Sequence, residues 1–408
     1  MSIGSNLNKA FNSVDLEQLY KIDYRKYYDE TFNTNTPVWD RIKKTSDAGG
    51  KYIEFPAPLG YVGGVGSGSL PESTLADYGD CKVNFKKVYA TAKIDRFSIM
   101  ASKGDSKAFV KLLTENAKKT VQADVWNHNR MLFGTGDGKL GTTKASGAVT
   151  DNTGGNYSII IGEGASTFKE ANFEENMLVN FGTGTDKFEI QTVTPSTRTI
   201  VVQRQAGGTD VPTTSQAVYL QGSKDNDLHG LYEILTKTSS TAYNVNVGRR
   251  WQAYQRLSYG AALTVEVMNN VMIGVEKQSG QVPNTIVTSY AQYEKILNFL
   301  EDKKRFALAN TSSKSKPSLS YSGVKFQSSR GEIDIFPDKF CDDDVMYFLN
   351  TDHIVYYRLP DSGWVKDDIG GNGYLRAVGE DAFEARHATY GNIFIAPPFH
   401  GIVTGLTV

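Results

Sequence analysis

Between Gly104 and Phe133 the residue pattern admits one structure, a long amphipathic helix. Phe109, Leu112, Leu113, Ala117, Val121, Val125 and Leu132 form one stripe at three- and four-residue spacing. Lys107, Lys111, Lys118 and Lys119 lie largely off that stripe, Gly104-Asp105-Ser106 offers a start, and Gly134 a stop. At 1.5 Å of rise per residue the helix is about 40 Å long. A straight helix of that length suits the spine of a flat, extended subunit.

The segment before it reads as extended. Lys51-Tyr52-Ile53-Glu54-Phe55-Pro56 alternates polar and apolar residues, as does the run from Lys82 to Ile94. Between them Gly60 to Ser69 holds five glycines in ten residues. Two long strands joined by a Gly-rich, charge-poor middle predict a hairpin projecting from the body. A two-stranded ribbon has too little packing to be stable alone in water. Its tip, Gly63 to Gly68, is therefore expected to bear on assembly rather than on folding. The N-terminal 45 or so residues hold one further amphipathic segment from Leu16 to Phe32, with Leu16, Leu19, Tyr20, Tyr27 and Phe32 at roughly helical spacing. Ser13 or Asp15 could cap it, and Pro37 with Asp47-Ala48-Gly49-Gly50 closes the region. So short a helix must lean on the rest of the chain or on a neighbouring copy.

After the long helix, residues 135 to 226 are rich in Gly, Thr and Ser and read as β. Phe188-Glu189-Ile190, the turn Pro195-Ser196-Thr197 and Thr199-Ile200-Val201-Val202 make a hairpin. Val218-Tyr219-Leu220 could add a strand, and with Phe173 and Val179 the segment predicts a small β-barrel inserted in the fold. Leu263, Val267, Val271 and Val275 then mark a helix over 263–277. Ile296, Leu297 and Leu300 mark another over 290–305, with the strand Thr285-Ile286-Val287-Thr288 between them. Strands at Ile333 to Phe336, Val345 to Leu349, Ile354 to Leu359 and Asn392 to Pro397 complete an α+β chain. No repeat of 20 to 50 residues stands out.

Composition narrows the class. Apolar residues make up 39% of the 408 and charged ones 22%, too apolar for disorder. No apolar run approaches the roughly 20 residues that span a bilayer, so no membrane is expected. The start, Met1-Ser2-Ile3-Gly4-Ser5-Asn6, lacks the basic-then-apolar plan of a signal peptide. Cys81 and Cys341 are too few for a disulfide scaffold or a four-cysteine zinc site and read as small buried thiols. A soluble protein made in a reducing cytoplasm is expected. Net charge is −1, but unevenly spread. Lys82 to Arg130 carries eleven Lys/Arg against four Asp/Glu, a balance of +7, and Glu332 to Glu384 thirteen Asp/Glu against four Lys/Arg, a balance of −9. The two runs could meet within a subunit or between copies, or remain two solvated faces. The basic run is no nucleic-acid motif, because Lys82-Val83-Asn84-Phe85-Lys86 alternates as a strand does and lacks a base-stacking pattern.

Tests for chemistry fail one after another. Gly64-Val65-Gly66 would need Gly at 69 for a dinucleotide loop, where Ser69 stands. Gly138-Lys139 lies at the wrong end of its helix for a phosphate loop, with Phe133 and Leu140 in place of the required glycine and hydroxyl residue. His128, His229, His353, His387 and His400 are scattered, with none in a local metal spacing, and each reads as structural or surface. There is no Gly-x-Ser-x-Gly elbow. Asp342-Asp343-Asp344 lacks the alternating ligands and distal Glu of a calcium loop and reads as an acidic turn. With 45 acidic residues, any proposed carboxylate pair would be arbitrary. Not an enzyme, with no catalytic, cofactor or metal residue, is the expectation.

The order of elements nonetheless resembles a known family, the major capsid proteins of tailed bacteriophages with the Hong Kong 97 type fold. The residues that carry the resemblance are the hairpin-to-helix run from Val83 to Phe133 and the C-terminal run from Phe383 to Gly401, in which Asn392-Ile393-Phe394-Ile395-Ala396-Pro397-Pro398-Phe399 looks like the family's closing strands. The match is architectural and covers nearly everything outside 135–226. It implies an N-terminal arm over 1–48 and an extended E-loop hairpin over 49–96 lying on a neighbouring subunit. It implies a P domain with its spine helix over 97–134, an inserted β-rich domain over 135–226, an A domain over 227–350, and P-domain return strands over 351–408. It implies self-assembly into pentamers and hexamers of an icosahedral shell around double-stranded DNA, held without sequence preference. Portal, head-completion and decoration proteins would be partners, and the virion the location, after synthesis in the cytoplasm of a bacterial host. Many members begin with a long helical scaffolding segment removed after assembly. Here the arm starts almost at Met1, so an uncleaved subunit built on a separate scaffolding protein is expected. Nothing identifies a Lys–Asn cross-link. Two other readings remain: an encapsulin-like compartment of the same fold with an enzyme cargo, and a secreted polysaccharide-binding or hydrolysing β protein suggested by the Tyr/Gly/Thr-rich middle.

Overall fold

The computed structural model describes residues 37–60, 67–68, 78–96, 106–162, 169–308, 324–328, 331–360, 363–365, 375–376 and 381–408. The expected helix over Leu16 to Phe32 and most of the Gly60 to Ser69 tip lie outside these. The architecture is α+β, with two large sheets, a spine helix and a barrel.

The spine helix runs Ser106–Leu132, 27 residues without interruption. Of the predicted stripe, Leu132 is buried and Val125 packs against the main core, while Val121 is 37% exposed. Thr120, Asp124, His128 and Met131, beside that stripe, are buried as well. The sheet beneath offers Thr389, His387 and the Tyr356 hydroxyl to this polar ridge, which is why polar side chains are buried there.

That first sheet is organised by one 14-residue strand, Ala382–Ile395. Lys86–Asp95 pairs antiparallel with it over ten residues, up to Gly391. Ile354–Arg358 pairs antiparallel with Gly391 to Ile395, and Lys43–Thr45 lies parallel outside Ile354–Arg358. The alternating run from Lys82 to Ile94 is therefore two strands and not one. It breaks at Phe85: Tyr78–Asn84 pairs with Tyr52–Pro58 as the hairpin, while Lys86–Asp95 belongs to the sheet. A hairpin extending to residue 96 is corrected accordingly. Alternation specifies a strand but not its partner.

The second sheet runs in the order Tyr254–Arg256, Gly401–Val403, Met346–Leu349, Thr285–Thr288, Gly331–Pro337, Val324–Ser328. Its central strands join two cores by simple alternation. Ile286, Met346 and Phe348 point into a cluster with Val267, Val271 and Val275 of the helix Val265–Ser279, the stripe read from sequence. Val287, Tyr347 and Leu349 point into the cluster that contains the hairpin and the end of the spine helix. Thr264 caps the helix by accepting from the Val267 N–H, and Gly280 ends it at φ +75°. The second helix, Tyr290–Leu308, follows the Thr285–Thr288 strand. Within 351–408, Ile354–Arg358 and Ala382–Ile395 lie in the first sheet, whereas Gly401–Val403 pairs with Met346 to Phe348 and with Tyr254–Arg256 in the second. Glycine is needed at 401, where an added Cβ would stand 2.7 Å from Val271 Cγ1.

Residues 139–220 contain a seven-stranded sheet in the order Lys139–Thr142, Ala217–Leu220, Leu178–Phe181, Phe188–Thr194, Thr199–Arg204, Asn156–Ile160, Val149–Asp151. An antiparallel bridge between Thr143 and Ile161 ties its first strand back beside the Asn156–Ile160 strand, closing a barrel. Its core is separate: Leu140, Ile159, Phe173, Val179, Phe188, Ile190, Ile200 and Val218 pack on one another. The Phe188–Thr194 and Thr199–Arg204 hairpin turns through Pro195–Thr197, with Arg198 in the left-handed region at φ 55°.

The chain leaves for the barrel and returns from it at Gly134 and Gly230, whose backbones touch. A Cβ on Gly230 would overlap the Gly134 carbonyl, a backbone group that cannot move aside. Gly230→Ala is expected to cost about 1–3 kcal/mol of stability, read as a lowered urea midpoint.

Candidate functional site: the buried polar joint and the docked hairpin

Four polar groups hold the spine helix, the hairpin, the barrel exit and the closing strand to one another. At the helix end Arg130 donates to both oxygens of Asp227, at 2.8 and 3.3 Å, with both residues buried. Ser223 donates its hydroxyl to the same carboxylate. This fork–fork pair ties the returning barrel segment to the helix. One position earlier, Asn129 donates to Asp338 at 3.3 Å, and the Phe340 N–H donates to the same carboxylate at 2.9 Å. Burial pushes the Asp338 carboxyl up, against the pull of those donors.

Asn392 is wholly buried and serves three segments. Its Oδ1 accepts from the His229 N–H at 2.9 Å and the Ile393 N–H at 2.8 Å, and its Nδ2 donates to the Asn84 carbonyl at 2.7 Å. Tyr243, at φ 53°, donates its hydroxyl to the Ile393 carbonyl and accepts from the Ile395 N–H, both at 3.1 Å. Its own carbonyl accepts from the Lys82 N–H of the hairpin at 2.8 Å.

Further along the spine helix, Asp124 faces two imidazoles. His128 Nδ1 is 2.7 Å from the Asp124 carbonyl oxygen and 3.5 Å from its carboxylate, so Nδ1–H donates there. Nε2 then accepts from the Tyr356 hydroxyl at 3.1 Å. His387 Nδ1 lies 3.3 Å from Asp124 Oδ2, which also accepts from the Thr389 hydroxyl at 3.2 Å. Trp39 packs its ring on His128 and Tyr356. Burial holds the His128 imidazole below its usual range, outweighing the Asp124 charge that favours protonation. Sequence reasoning treated the five histidines as scattered, and the only signal for this pair would have been Asp124 and His128 at i, i+4.

The other histidines are structural. His229 meets Glu233 at 2.9 Å, and His353 stacks on Phe399 at 3.7 Å. Burial pushes Glu233 up, but His229 and Lys237 outweigh it and hold the carboxyl below its usual value. His400 is fully buried and accepts from the Asn350 N–H at 3.2 Å, and burial holds its imidazole at about 3. Cys81 and Cys341 are buried free thiols, with Cys81 pushed up to about 12 by burial. The acidic turn Asp342-Asp343-Asp344 binds the barrel and the C-terminus. Asp342 pairs with Lys169 at 2.8 Å, and the Asp344 carbonyl accepts from the Leu406 N–H at 3.0 Å. Among the described residues no group of three or more His, Cys, Asp or Glu could hold a metal ion, and no helix is long and apolar enough to cross a membrane. Among the described residues the oppositely charged runs meet within the subunit at the pairing of Lys86–Asp95 with the closing strand. There Lys93 stands opposite Glu384, and Arg96 meets Asp381 at 3.4 Å.

The hairpin divides its residues cleanly by face. Ala57, Cys81 and Val83 are buried, and Phe55 meets Phe394 edge-on at 4.6 Å, so this face docks on the first sheet. The other face carries Tyr52, 42% exposed, and Tyr78, 60% exposed, with Pro56 and Pro58 between them. Lys82 pairs with Glu54 at 3.2 Å and lies over the Tyr52 ring. A solvated aromatic and proline face on a ribbon held rigid from behind is arranged for contact with another surface.

No protein-family model matches the chain, and no curated protein matches it. Solved structures do. A chain of the cyanophage A-1(L) capsid asymmetric unit superposes with a TM-score of 0.57 at 12% identity, over 98% of this chain and 99% of that one. Lower TM-scores are found for the holo-SrpI encapsulin complex from Synechococcus elongatus PCC 7942 (0.46, 7% identity, 98% and 96% covered) and for the capsid of an empty GTA particle (0.45, 8% identity, 98% and 100% covered). The chain has the fold of a tailed-phage capsid subunit, the Hong Kong 97 type.

Two consequences can be measured. Arg130→Met leaves a buried carboxylate with no cation and is expected to lose about 3–5 kcal/mol in urea unfolding, much of it recovered by removing Asp227 as well. The neutral His400 imidazole stabilises the fold above its unfolded value of 6.5, and that contribution disappears as pH falls towards about 3. The acid loss attributable to this site is on the order of 5 kcal/mol. His400→Gln, which keeps an acceptor, is expected to flatten the pH dependence of stability below about pH 6.

Proposed function

We propose that the chain is the shell-forming subunit of a tailed phage, assembling with copies of itself into pentamers and hexamers of an icosahedral head around double-stranded DNA. The observation that carries this reading is the docked hairpin, whose outer face leaves Tyr52 and Tyr78 exposed while its inner face packs on the core. The capsid fold across the whole chain supports it. Lys and Arg on the inner surface would meet DNA phosphates without sequence preference, a contact that weakens steeply with salt. The reading further includes no enzymatic activity, a separate scaffolding protein during assembly in the host cytoplasm, portal and head-completion proteins, and decoration proteins on the exterior of the finished virion.

Replacing Tyr52 and Tyr78 together by Ser leaves the docked face intact, so the subunit is expected to fold with an unchanged melting temperature. It is expected to lose shells by electron microscopy, because truncating a central interface aromatic costs about 2 kcal/mol or more at every copy. Normal shells from that variant, or a stable 45 kDa monomer from the unaltered chain under all conditions, would overturn the reading. Nucleic acid in purified particles supports the phage head, and an enzyme cargo in its place supports a protein compartment of the same fold.

A further inference from the structure

We propose that Pro56 and Pro58 seal the free edge of the hairpin against strand addition by a second copy of this chain, so that copies meet through the hairpin's outer face and not along its backbone. The second clause rests on the shell-forming reading; the first does not. The register carries the proposal. Tyr52–Pro58 and Tyr78–Asn84 pair antiparallel, with Glu54 opposite Lys82 and Pro56 opposite Asp80. In such a ladder successive residues turn their backbone N–H and C=O alternately towards the partner strand and away from it. Three contacts reveal which residues turn away. The Lys82 N–H donates to the Tyr243 carbonyl at 2.8 Å, the Asn84 carbonyl accepts from Asn392 Nδ2 at 2.7 Å, and the Asp80 carbonyl accepts from Asn244 Nδ2 at 3.5 Å. The residues opposite these and Tyr78, namely Tyr52, Glu54, Pro56 and Pro58, therefore turn their backbones away from the hairpin on its other side.

The two edges differ in what covers them. Tyr243, Asn244 and Asn392 occupy the edge of Tyr78–Asn84, whereas no strand lies beside Tyr52–Pro58 among the described residues. That open edge is held from behind by Phe55 and Ala57 and is built partly of the strand formers Tyr52, Ile53 and Phe55. An exposed edge of this kind is a template for another strand. A second copy presents the same edge, and two identical edges related by a two-fold axis pair antiparallel. In the register that overlaps the whole strand, Tyr52 meets Pro58 and Glu54 meets Pro56. Proline has no N–H, so each opposed pair loses one of its two ladder bonds, and a pyrrolidine ring is pressed onto a carbonyl that needs a donor. The hairpin itself loses nothing, because an N–H at 56 or 58 would face away from Tyr78–Asn84. A proline at 55 or 57 would instead remove a bond within the hairpin. Both prolines occupy the harmless positions, and both are exposed.

The test restores the missing donors in the full chain. Pro56→Thr with Pro58→Thr adds two outward N–H groups and is expected to melt within about 5 °C of the unaltered chain. Sedimentation velocity over a dilution series is expected to show it self-associating at least about tenfold more tightly. Hydrogen exchange of a peptide over 51–59 is expected to become concentration-dependent. Pro56→Ala with Pro58→Ala supplies the same donors without the β-branch and is expected to gain in the same direction. Glu54→Pro added to the threonine pair removes an outward N–H again and breaks no hairpin ladder bond. It is expected to return association to within about twofold of the unaltered chain. Tyr52→Ser with Tyr78→Ser added instead keeps the edge backbone, and the gain is expected to persist. No gain in either the threonine or the alanine pair refutes the proposal, as does a gain that survives Glu54→Pro or one lost with the two tyrosines. Normal shells from Tyr52→Ser with Tyr78→Ser, beside a gain in the threonine pair, refute the shell-forming reading and leave the sealed edge standing.

Discussion

A long strand is useful only if its backbone groups have partners along its whole length, and the closing strand Ala382–Ile395 outruns one of its neighbours. Lys86–Asp95 accompanies it as far as Gly391 and then turns away at Phe85 towards the hairpin. Beyond that point the Ile393 carbonyl and the Ile395 N–H would be buried without a strand beside them, at a cost of about 1–3 kcal/mol for each unsatisfied group. The Tyr243 hydroxyl meets both, and Asn392 meets the Ile393 N–H while holding Asn84 and His229. These two side chains stand in for a missing strand, and by doing so they fix where the hairpin starts. Remove that substitution and the hairpin base, the barrel return and the closing strand lose their common point.

The barrel is attached on a different principle. Its apolar core is its own, so it needs no hydrophobic contact to stay folded. It is joined to the body by specific polar contacts, Arg130 with Asp227 and Lys169 with Asp342, together with the close backbone approach of Gly134 and Gly230. Buried ion pairs add little net stability compared with apolar packing, but they are strict about geometry. A barrel held in this way keeps a defined orientation beside a core that is not its own.

What could be read from the residues follows from the range of the interactions. Local periodicity reports local structure, and so the spine helix, the Val265–Ser279 helix with its Val267, Val271 and Val275 stripe, and the Phe188 to Arg204 hairpin lie where their patterns place them. The polar part of the spine helix's buried face was illegible because burial there is decided by partners distant in sequence: Thr389, His387 and Tyr356 convert Asp124 and His128 from surface residues into interior ones, beside the predicted Val125 and Leu132. The break at Phe85 was illegible for the same reason, since both halves of the run alternate equally well and it is Asn392 and Tyr243, distant in sequence, that distinguish them. Gly401–Val403 is too short to declare which sheet it joins, and the close approach of Val271 and Val275 to Gly401 is visible only in three dimensions.

The hairpin shows how the same alternation serves two purposes. Its inward residues, Phe55, Ala57, Cys81 and Val83, complete the main core, which removes the instability of an isolated ribbon without any second copy. Its outward residues add little to the core, and Tyr52, Tyr78 and the two prolines are left exposed on the ribbon's outer face. An ordered surface loses less conformational entropy on contact than one that must fold as it binds, so the same aromatic area yields more net affinity. Stability of the single chain and readiness for association are in this way divided between the two faces of one ribbon, and a change on one face can be made without disturbing the other.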